Sequence, residues 1–340
     1  MTEIFGTLGP ACAQADILEK MFLEGMTGMR LNMSHSGLKE SETLVRGFQQ
    51  AAQHIGIKPE LLIDMQGPEI RIGDLPFPLQ LKKAEKAALV LQTDTQAGKQ
   101  TDMPVIPVAG YVLDVLETGD HILLDDGRLE LAVTSVRPAA MAHVVRGGSL
   151  QKRKSLKVIG KSIPGPAVTD QDRENIRLAE AYGVTALMQP FVTEGEQLLE
   201  VRRELQKNHM DHIRLFAKIE NREGMENIRD IMPYADMIVI ARGDLGNDMP
   251  LWELPAAQKM LSEICRKEGK PFLVVTQLLA SMVRQPYPTR AEVSDIFHAV
   301  TDGAAAVMVT NETAVGEYPA EVIRYLKKTV QEAERWRELL

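Results

Sequence analysis

Cysteine is nearly absent: Cys12 and Cys265 are the only two in 340 residues. Two thiols so far apart exclude a disulfide framework and a cysteine metal site, and they fit a reducing, cytoplasmic location. Basic charge is also short. Lys and Arg number 39 against 47 Asp and Glu, for a formal net charge of -8, and the sequence pI is about 5.5. Nucleic acid and anionic membrane surfaces need a basic footprint, so neither is expected as a main partner. No apolar run approaches the roughly 18 residues of a membrane span. The opening MTEIFGTLGP has neither a basic n-region nor an apolar h-region, so no secretory signal is expected. A glycine-rich dinucleotide fingerprint is missing too, which weighs against an open doubly wound sheet.

What is present is a rhythm. Short apolar runs alternate with segments of helical spacing, the pattern of parallel strands buried on both faces. Strands are expected at 4–8, 29–33 and 61–64, with helices at 14–23 and 39–55 between them and Gly25 closing the first helix. From about 73 to 160 helical periodicity fades into short alternating segments punctuated by proline. His121 to Val133 is the clearest, where Asp125-Asp126-Gly127 reads as a hairpin turn. Strands return at 186–191, 213–218, 236–241, 271–276 and 305–309. Helices are expected at 170–182, 194–207, 223–232, 255–267, 290–301 and 319–334. About eight strand-helix units close a (β/α)8 TIM barrel. The chain therefore reads as an α/β barrel in two parts, 1–72 and 161–340, with a small all-β lid domain inserted at 73–160 after strand 3.

In such barrels the active site forms at the C-terminal rim of the strands. Polar residues end nearly every strand: Arg30, Asn32 and Ser34; Asp64 and Glu69; Lys218 and Glu220; Arg242 and Asp244; Thr276; and Thr310 to Thr313. Lys218, Glu220 and Asp244 put an ammonium beside two carboxylates. That combination suits a hard divalent cation serving an anionic, oxygen-rich substrate. A structural salt bridge is the bland alternative for any one of them.

The blocks TLGPA, MRLNMSH, LLIDMQGPEIR, Ile163 to Gly165, AKIEN, IARGDLG, VTQLLASM, PTRAE and DGAAAVMVTNETAVGEYP occur in this order over nearly the whole chain. In them the sequence resembles the pyruvate kinases. The resemblance implies phosphoryl transfer from phosphoenolpyruvate to ADP, a glycolytic reaction giving pyruvate and ATP through an enolate held on Mg²⁺ or Mn²⁺, with K⁺ as a second cation. It places Glu220 and Asp244 on the divalent metal and Lys218 on the phosphoryl group. Thr276 is placed at the substrate and at enol protonation, the Gly243 backbone at the substrate carboxylate, and Arg30 at phosphate as a substrate-binding and catalytic residue. Asn32, Ser34, Asp64 and the Met65 carbonyl match the K⁺ site, and Glu69 is that family's signature of K⁺ dependence. Arg71, with Asn32 and His35, is implied for the nucleotide, although His35 on its own reads as a structural histidine.

Departures from the family pattern are Met65 and Gln66 for a threonine and a lysine, and Val158 or Ile159 where a lysine is expected, with Lys157 and Lys161 close by. Pro190, Asn311 and Val315 are further changes. Members usually continue into a C-terminal α/β regulatory domain, which this sequence is expected to lack, so any homo-oligomer would form through barrel contacts. Two other activities use the same rim: a metal-dependent lyase or aldolase acting through a pyruvate enolate, and a non-catalytic phosphoenolpyruvate-binding paralogue.

Overall fold

Eight apolar segments whose side chains alternate between two buried environments build the centre of the molecule. In the computed structural model, which describes residues 1–34, 36–68, 70–93, 103–125, 127–161, 163 and 165–339, the chain divides into two compact units. One comprises Met1–Gly67 and Ala167–Leu340, the other Pro68–Pro166. His35, Glu69, Asp126 and Pro164, all singled out in the sequence, lie outside the described residues.

The first unit opens with β1 (Glu3–Thr7), β2 (Gly28–Asn32) and β3 (Glu60–Asp64). The helix Ala15–Leu23 between the first two stops at Gly25, whose φ of +104° is open to glycine but strained for other residues.

The second unit holds β4 (Leu79–Leu81), β5 (Lys86–Leu91), β6 (Val105–Val108), β7 (His121–Leu124), β8 (Leu129–Ser135), β9 (Ala140–Arg146), β10 (Gly148–Leu150) and β11 (Leu156–Val158). A six-stranded sheet in the order β11-β7-β8-β9-β5-β6 accompanies a two-stranded one. β7 and β8 pair antiparallel across the expected turn, with Asp125 and Gly127 at φ +50° and +77°. Among the described residues a single helix, Gly110–Val115, interrupts the β pattern. At six residues it is too short to show periodicity in the sequence. Antiparallel pairing of Arg71 with Ser155, and backbone bonds from Ile72 to Lys154 and from Leu156 to Ile70, zip the ends of this unit together. It has an apolar core of its own, including Ile106, Ile122, Leu124, Leu131 and Val144.

The first unit resumes with β12 (Ala186–Gln189), β13 (Arg214–Ile219), β14 (Met237–Ala241), β15 (Phe272–Val275) and β16 (Ala306–Met308). β1, β2, β3 and β12 to β16 form one closed parallel barrel. β3 pairs directly with β12, Leu62 opposite Ala186, and β16 closes on β1 with Val307 opposite Ile4. Inward-facing Phe5, Leu62, Met188, Phe216, Val239, Leu273 and Met308 fill the interior as a packed core. The alternate residues, such as Ile4, Ile63, Leu215, Ile240 and Val307, pack outward in the larger cluster that includes the helices.

Two elements differ from expectation. The helix expected over 223–232 is two short pieces, Arg222–Glu226 and Ile228–Ile231. They separate at Asn227, whose side-chain amide donates to the Thr193 carbonyl. Strands β12 and β15 also end earlier than their β-branched and aromatic residues suggested, because Phe191 and Thr276 adopt positive φ. Among the described residues no helix is long and apolar enough to cross a membrane.

Candidate active site

Strand alternation puts Thr7, Arg30, Asp64 and Lys218 on the inner face at the C-terminal end of the barrel. The registers Thr7 opposite Arg30 and Asn32 opposite Asp64 set the first three side by side, and Lys218 follows Phe216 of the inner core by two residues. Asp64 is the hub. Its Oδ2 accepts from Arg30 Nε at 2.8 Å and Nη2 at 2.6 Å. The Lys218 ammonium lies 3.4 Å from the same oxygen and 2.9 Å from Glu220 Oε1. Glu220 Oε2 accepts from the backbone N–H of Phe191 at 2.8 Å. Asp64 and Glu220 are each 2% exposed, so this is a charged cluster taken out of water.

Burial pushes the Lys218 pKa down, but Asp64 and Glu220 outweigh it and hold the pKa above the ordinary lysine value. Asp64 is also opposed by burial, and Lys218 and Arg30 bring it below the ordinary aspartate value. Glu220 goes the other way. Burial, reinforced by the negative charges of Asp244 and Asp64, outweighs Lys218 and raises its pKa to about 8. The cluster is therefore short of positive charge at Glu220.

The salt bridge between Lys218 and Glu220, the bland reading of these residues, is present. It does not exhaust the site. Among the described residues Asp64 Oδ1 is buried with no hydrogen-bond partner, an expensive condition for a carboxylate oxygen. Close by, Asn32 Oδ1 accepts from the backbone N–H of Ser34 at 3.0 Å, and Met65 follows Asp64 directly in the chain.

Asp244 sits on a one-turn helix, Arg242–Leu245, immediately after β14. Gly243 in that turn faces Thr276: a β-carbon there would lie 3.1 Å from Thr276 Cγ2 and 3.5 Å from Oγ1. Any larger residue would push against the threonine. Thr276 itself has φ +83°, followed by Gln277 at +54° and matched across the rim by Phe191 at +51°. For a β-branched residue that backbone is an outlier costing about 1–3 kcal/mol.

Arg30, Asp64, Lys218 and Glu220 thus form a continuous chain of ion pairs, Asp244 is within electrostatic reach of Glu220, and Gly243 adjoins Thr276. Arg30, expected at phosphate, commits two of its nitrogens to Asp64 and points a third at Thr7 Oγ1, 3.4 Å away. Arg71 belongs to the other unit, where it donates to the Arg153 carbonyl.

Several working residues escaped the sequence. Asp172, fully buried, accepts from the backbone of Gln66, Gly67 and Thr169. Its one signal was the Thr169 spacing of a capping box. For Glu312, itself one of the rim residues Thr310 to Thr313, what escaped was its partners: it ties the loop after β15 to that after β16, accepting from the N–H groups of Leu279 and Thr310. Asp295 holds Arg242 at 2.6 Å. These are partners brought together only by closure of the barrel.

Among the described residues no group of three or more His, Cys, Asp or Glu is arranged to hold a metal. A three-ligand site is not what Mg²⁺ requires, since it commonly takes one or two carboxylates and completes its shell with water and substrate oxygens. Glu220 and Asp244 offer two carboxylates within electrostatic reach of each other.

Known proteins share this arrangement of sequence. The family model described as pyruvate kinase, barrel domain, matches residues 1–323. The pyruvate kinase of Geobacillus stearothermophilus is 36% identical over 338 residues, 98% of this chain and 57% of that protein. That of Sporosarcina psychrophila is 36% identical over 331 residues, covering 96% and 56%, and that of Methylorubrum extorquens 36% over 339, covering 98% and 69%. The chain therefore spans little more than half the length of the first two relatives. With a family match over nearly its full length and a buried lysine-carboxylate cluster at the end of the barrel where such sites form, this chain belongs to the pyruvate kinase family.

Proposed function

We propose that the chain transfers a phosphoryl group from phosphoenolpyruvate to ADP, yielding pyruvate and ATP. The observation that carries this reading is Lys218, protonated and gripped by Asp64 and Glu220 at the barrel rim. A phosphoryl group in transfer spreads negative charge over its equatorial oxygens, and catalysis consists mostly of positioning plus fixed positive charge. An ammonium that cannot lose its proton near neutral pH supplies that charge without rearranging during the reaction.

Glu220 and Asp244 would hold Mg²⁺ or Mn²⁺. The fit is electrostatic: Glu220 is a buried carboxylate whose charge is under-compensated, and each of its oxygens keeps a lone pair beyond the bond already made. When bound, a divalent ion neutralises substrate phosphate and carboxylate oxygens and favours charge developing on the enol oxygen. Asp64 Oδ1, Asn32, Ser34 and the Met65 carbonyl would hold K⁺. The partnerless Asp64 oxygen supports this, and an all-oxygen donor set suits a hard cation.

The Thr276 hydroxyl would pass a proton to the enolate carbon, and the Gly243 backbone would give the substrate carboxylate a close approach. Arg30 keeps Asp64 ionised and oriented. Arg71 is assigned to nucleotide phosphate. Two buried thiols whose pKa values burial raises to about 11 and about 12 fit a reducing cytoplasm, where neither would be called on to react.

The test is a coupled assay on purified protein with phosphoenolpyruvate, ADP and Mg²⁺, in K⁺ and in Na⁺. ADP-dependent pyruvate formation stimulated by K⁺ is expected. No ADP-dependent pyruvate with Mg²⁺ or Mn²⁺, K⁺ being present, would reject the activity, and equal rates in K⁺ and Na⁺ would remove the K⁺ site.

A further inference from the structure

The backbone of Thr276 is held in a conformation its side chain disfavours, and one residue does the holding. Arg242 donates from Nε at 3.1 Å and from Nη2 at 2.6 Å to the Thr276 carbonyl. Its third nitrogen donates to both oxygens of Asp295, at 2.9 and 2.6 Å, and more distantly to Gln258 Oε1 at 3.4 Å. The guanidinium is 12% exposed. Ala241 and Val275 pair across the barrel sheet, so Arg242 and Thr276 are the first residues beyond the ends of neighbouring strands. Arg242 also begins the turn that carries Gly243 and Asp244. A single planar fork thus couples the turn bearing a cation ligand to the strand end bearing the proton donor.

We propose that Arg242 is a positioning residue for proton transfer and that Asp295 is its lock. The fork fixes the Thr276 carbonyl and so the direction of the Thr276 hydroxyl, which lies against Gly243. In the step it serves, the electron pair of the enolate double bond forms a new C–H bond with a proton passed through that hydroxyl. Water returns a proton to the threonine oxygen, and the enolate oxygen becomes the carbonyl of pyruvate. This rests on the reading above that Thr276 faces the substrate.

Lysine keeps the charge but offers one ammonium in place of a fork, so it cannot span the Thr276 carbonyl and Asp295 together. R242K is therefore expected to lower kcat by about 10- to 100-fold, the scale of a small misplacement. KM for phosphoenolpyruvate should stay within about threefold, as ground-state binding is untouched. Exchange of pyruvate methyl hydrogens with D₂O, measured by NMR without nucleotide, should fall in the same ratio as kcat. D295N leaves the guanidinium in place but unlocked. It should act in the same direction to a smaller degree, and it decides the matter if R242K fails to fold. Independently of turnover, the ¹³C shifts of labelled Thr276, assigned by its loss in T276S, should leave the left-handed range in R242K. Unchanged Thr276 shifts and unchanged exchange in both variants, or a lowered melting temperature alone, would overturn the proposal. If wild-type protein forms no pyruvate, the proposed activity fails, and the threonine shifts still decide whether Arg242 sets the geometry.

Discussion

Lys218 is the residue whose replacement speaks most clearly, because its two partners respond differently to losing it. Asp64 keeps Arg30, whereas Glu220 keeps only the Phe191 N–H. Glu220, already raised to about 8 by burial and neighbouring charge, would lose the cation that lowers its pKa and be held as the neutral acid at neutral pH. K218M is therefore expected to fold, with a stability loss below the about 3–5 kcal/mol that follows when a buried partner is left charged. Its turnover should fall by at least 10²- to 10³-fold, the usual loss on removing one preorganised donor. Urea denaturation together with the coupled assay checks both halves. The charged residues themselves were legible from sequence, since a Lys or Glu directly after an apolar run has few structural explanations. The backbone of Thr276 was legible only as the end of a strand: its β-branched side chain argues for extended backbone, and the φ of +83° depends on Arg242, which no local pattern reveals.

At the scale of elements, the loops that carry the site are pinned by buried or half-buried carboxylates. Glu292, in the first turn of the helix Arg290–Thr301, accepts from the backbone and hydroxyl of Ser281 and from those of Thr289. It ties the loop after β15 to the next helix. Burial opposes its ionisation, but the Ser281 and Thr289 bonds prevail and its pKa lies below the ordinary 4.5. The unfolded chain therefore binds this proton more readily than the folded one. The stabilisation is complete above about pH 4.5 and is lost as pH falls through the lower folded value. E292Q should accordingly melt below wild type by a constant margin from pH 8 to about 5, and the margin should shrink below that range. A margin that grows on acidification would contradict the sign. The strand-helix rhythm was readable because the apolar periods differ, as in the helix expected and found at Arg290–Thr301. The breaks at Asn227 and the helix Gly110–Val115 were not, one depending on the distant Thr193 carbonyl and the other too short to show a period.

At the scale of the whole molecule, β3 pairs directly with β12 although 121 residues separate Asp64, the end of one, from Ala186, the start of the other. The barrel therefore closes with no strand from the inserted unit, and each unit buries its own core. Replacing 68–166 with a short Gly/Ser linker is expected to leave a cooperatively melting barrel with native near-ultraviolet circular dichroism. A non-cooperative melt would show that the barrel needs the insertion to fold. The barrel was predictable from eight repeated strand-helix units. Which carboxylates would meet was less so, because the register of closure decides it: Asp64 reaches Lys218 only because β12 sits between their strands and offsets them. The claim everything rests on is that Glu220 and Asp244 share one divalent cation beside Lys218. Titration of Mn²⁺ by electron paramagnetic resonance, with phosphoenolpyruvate present, measures it directly in wild type, E220Q and D244N. One Mn²⁺ bound by wild type and an affinity loss of at least about 10-fold in each variant, the scale on which even outer-shell changes weaken a site, is the expected result; wild-type affinity retained in either variant would contradict it.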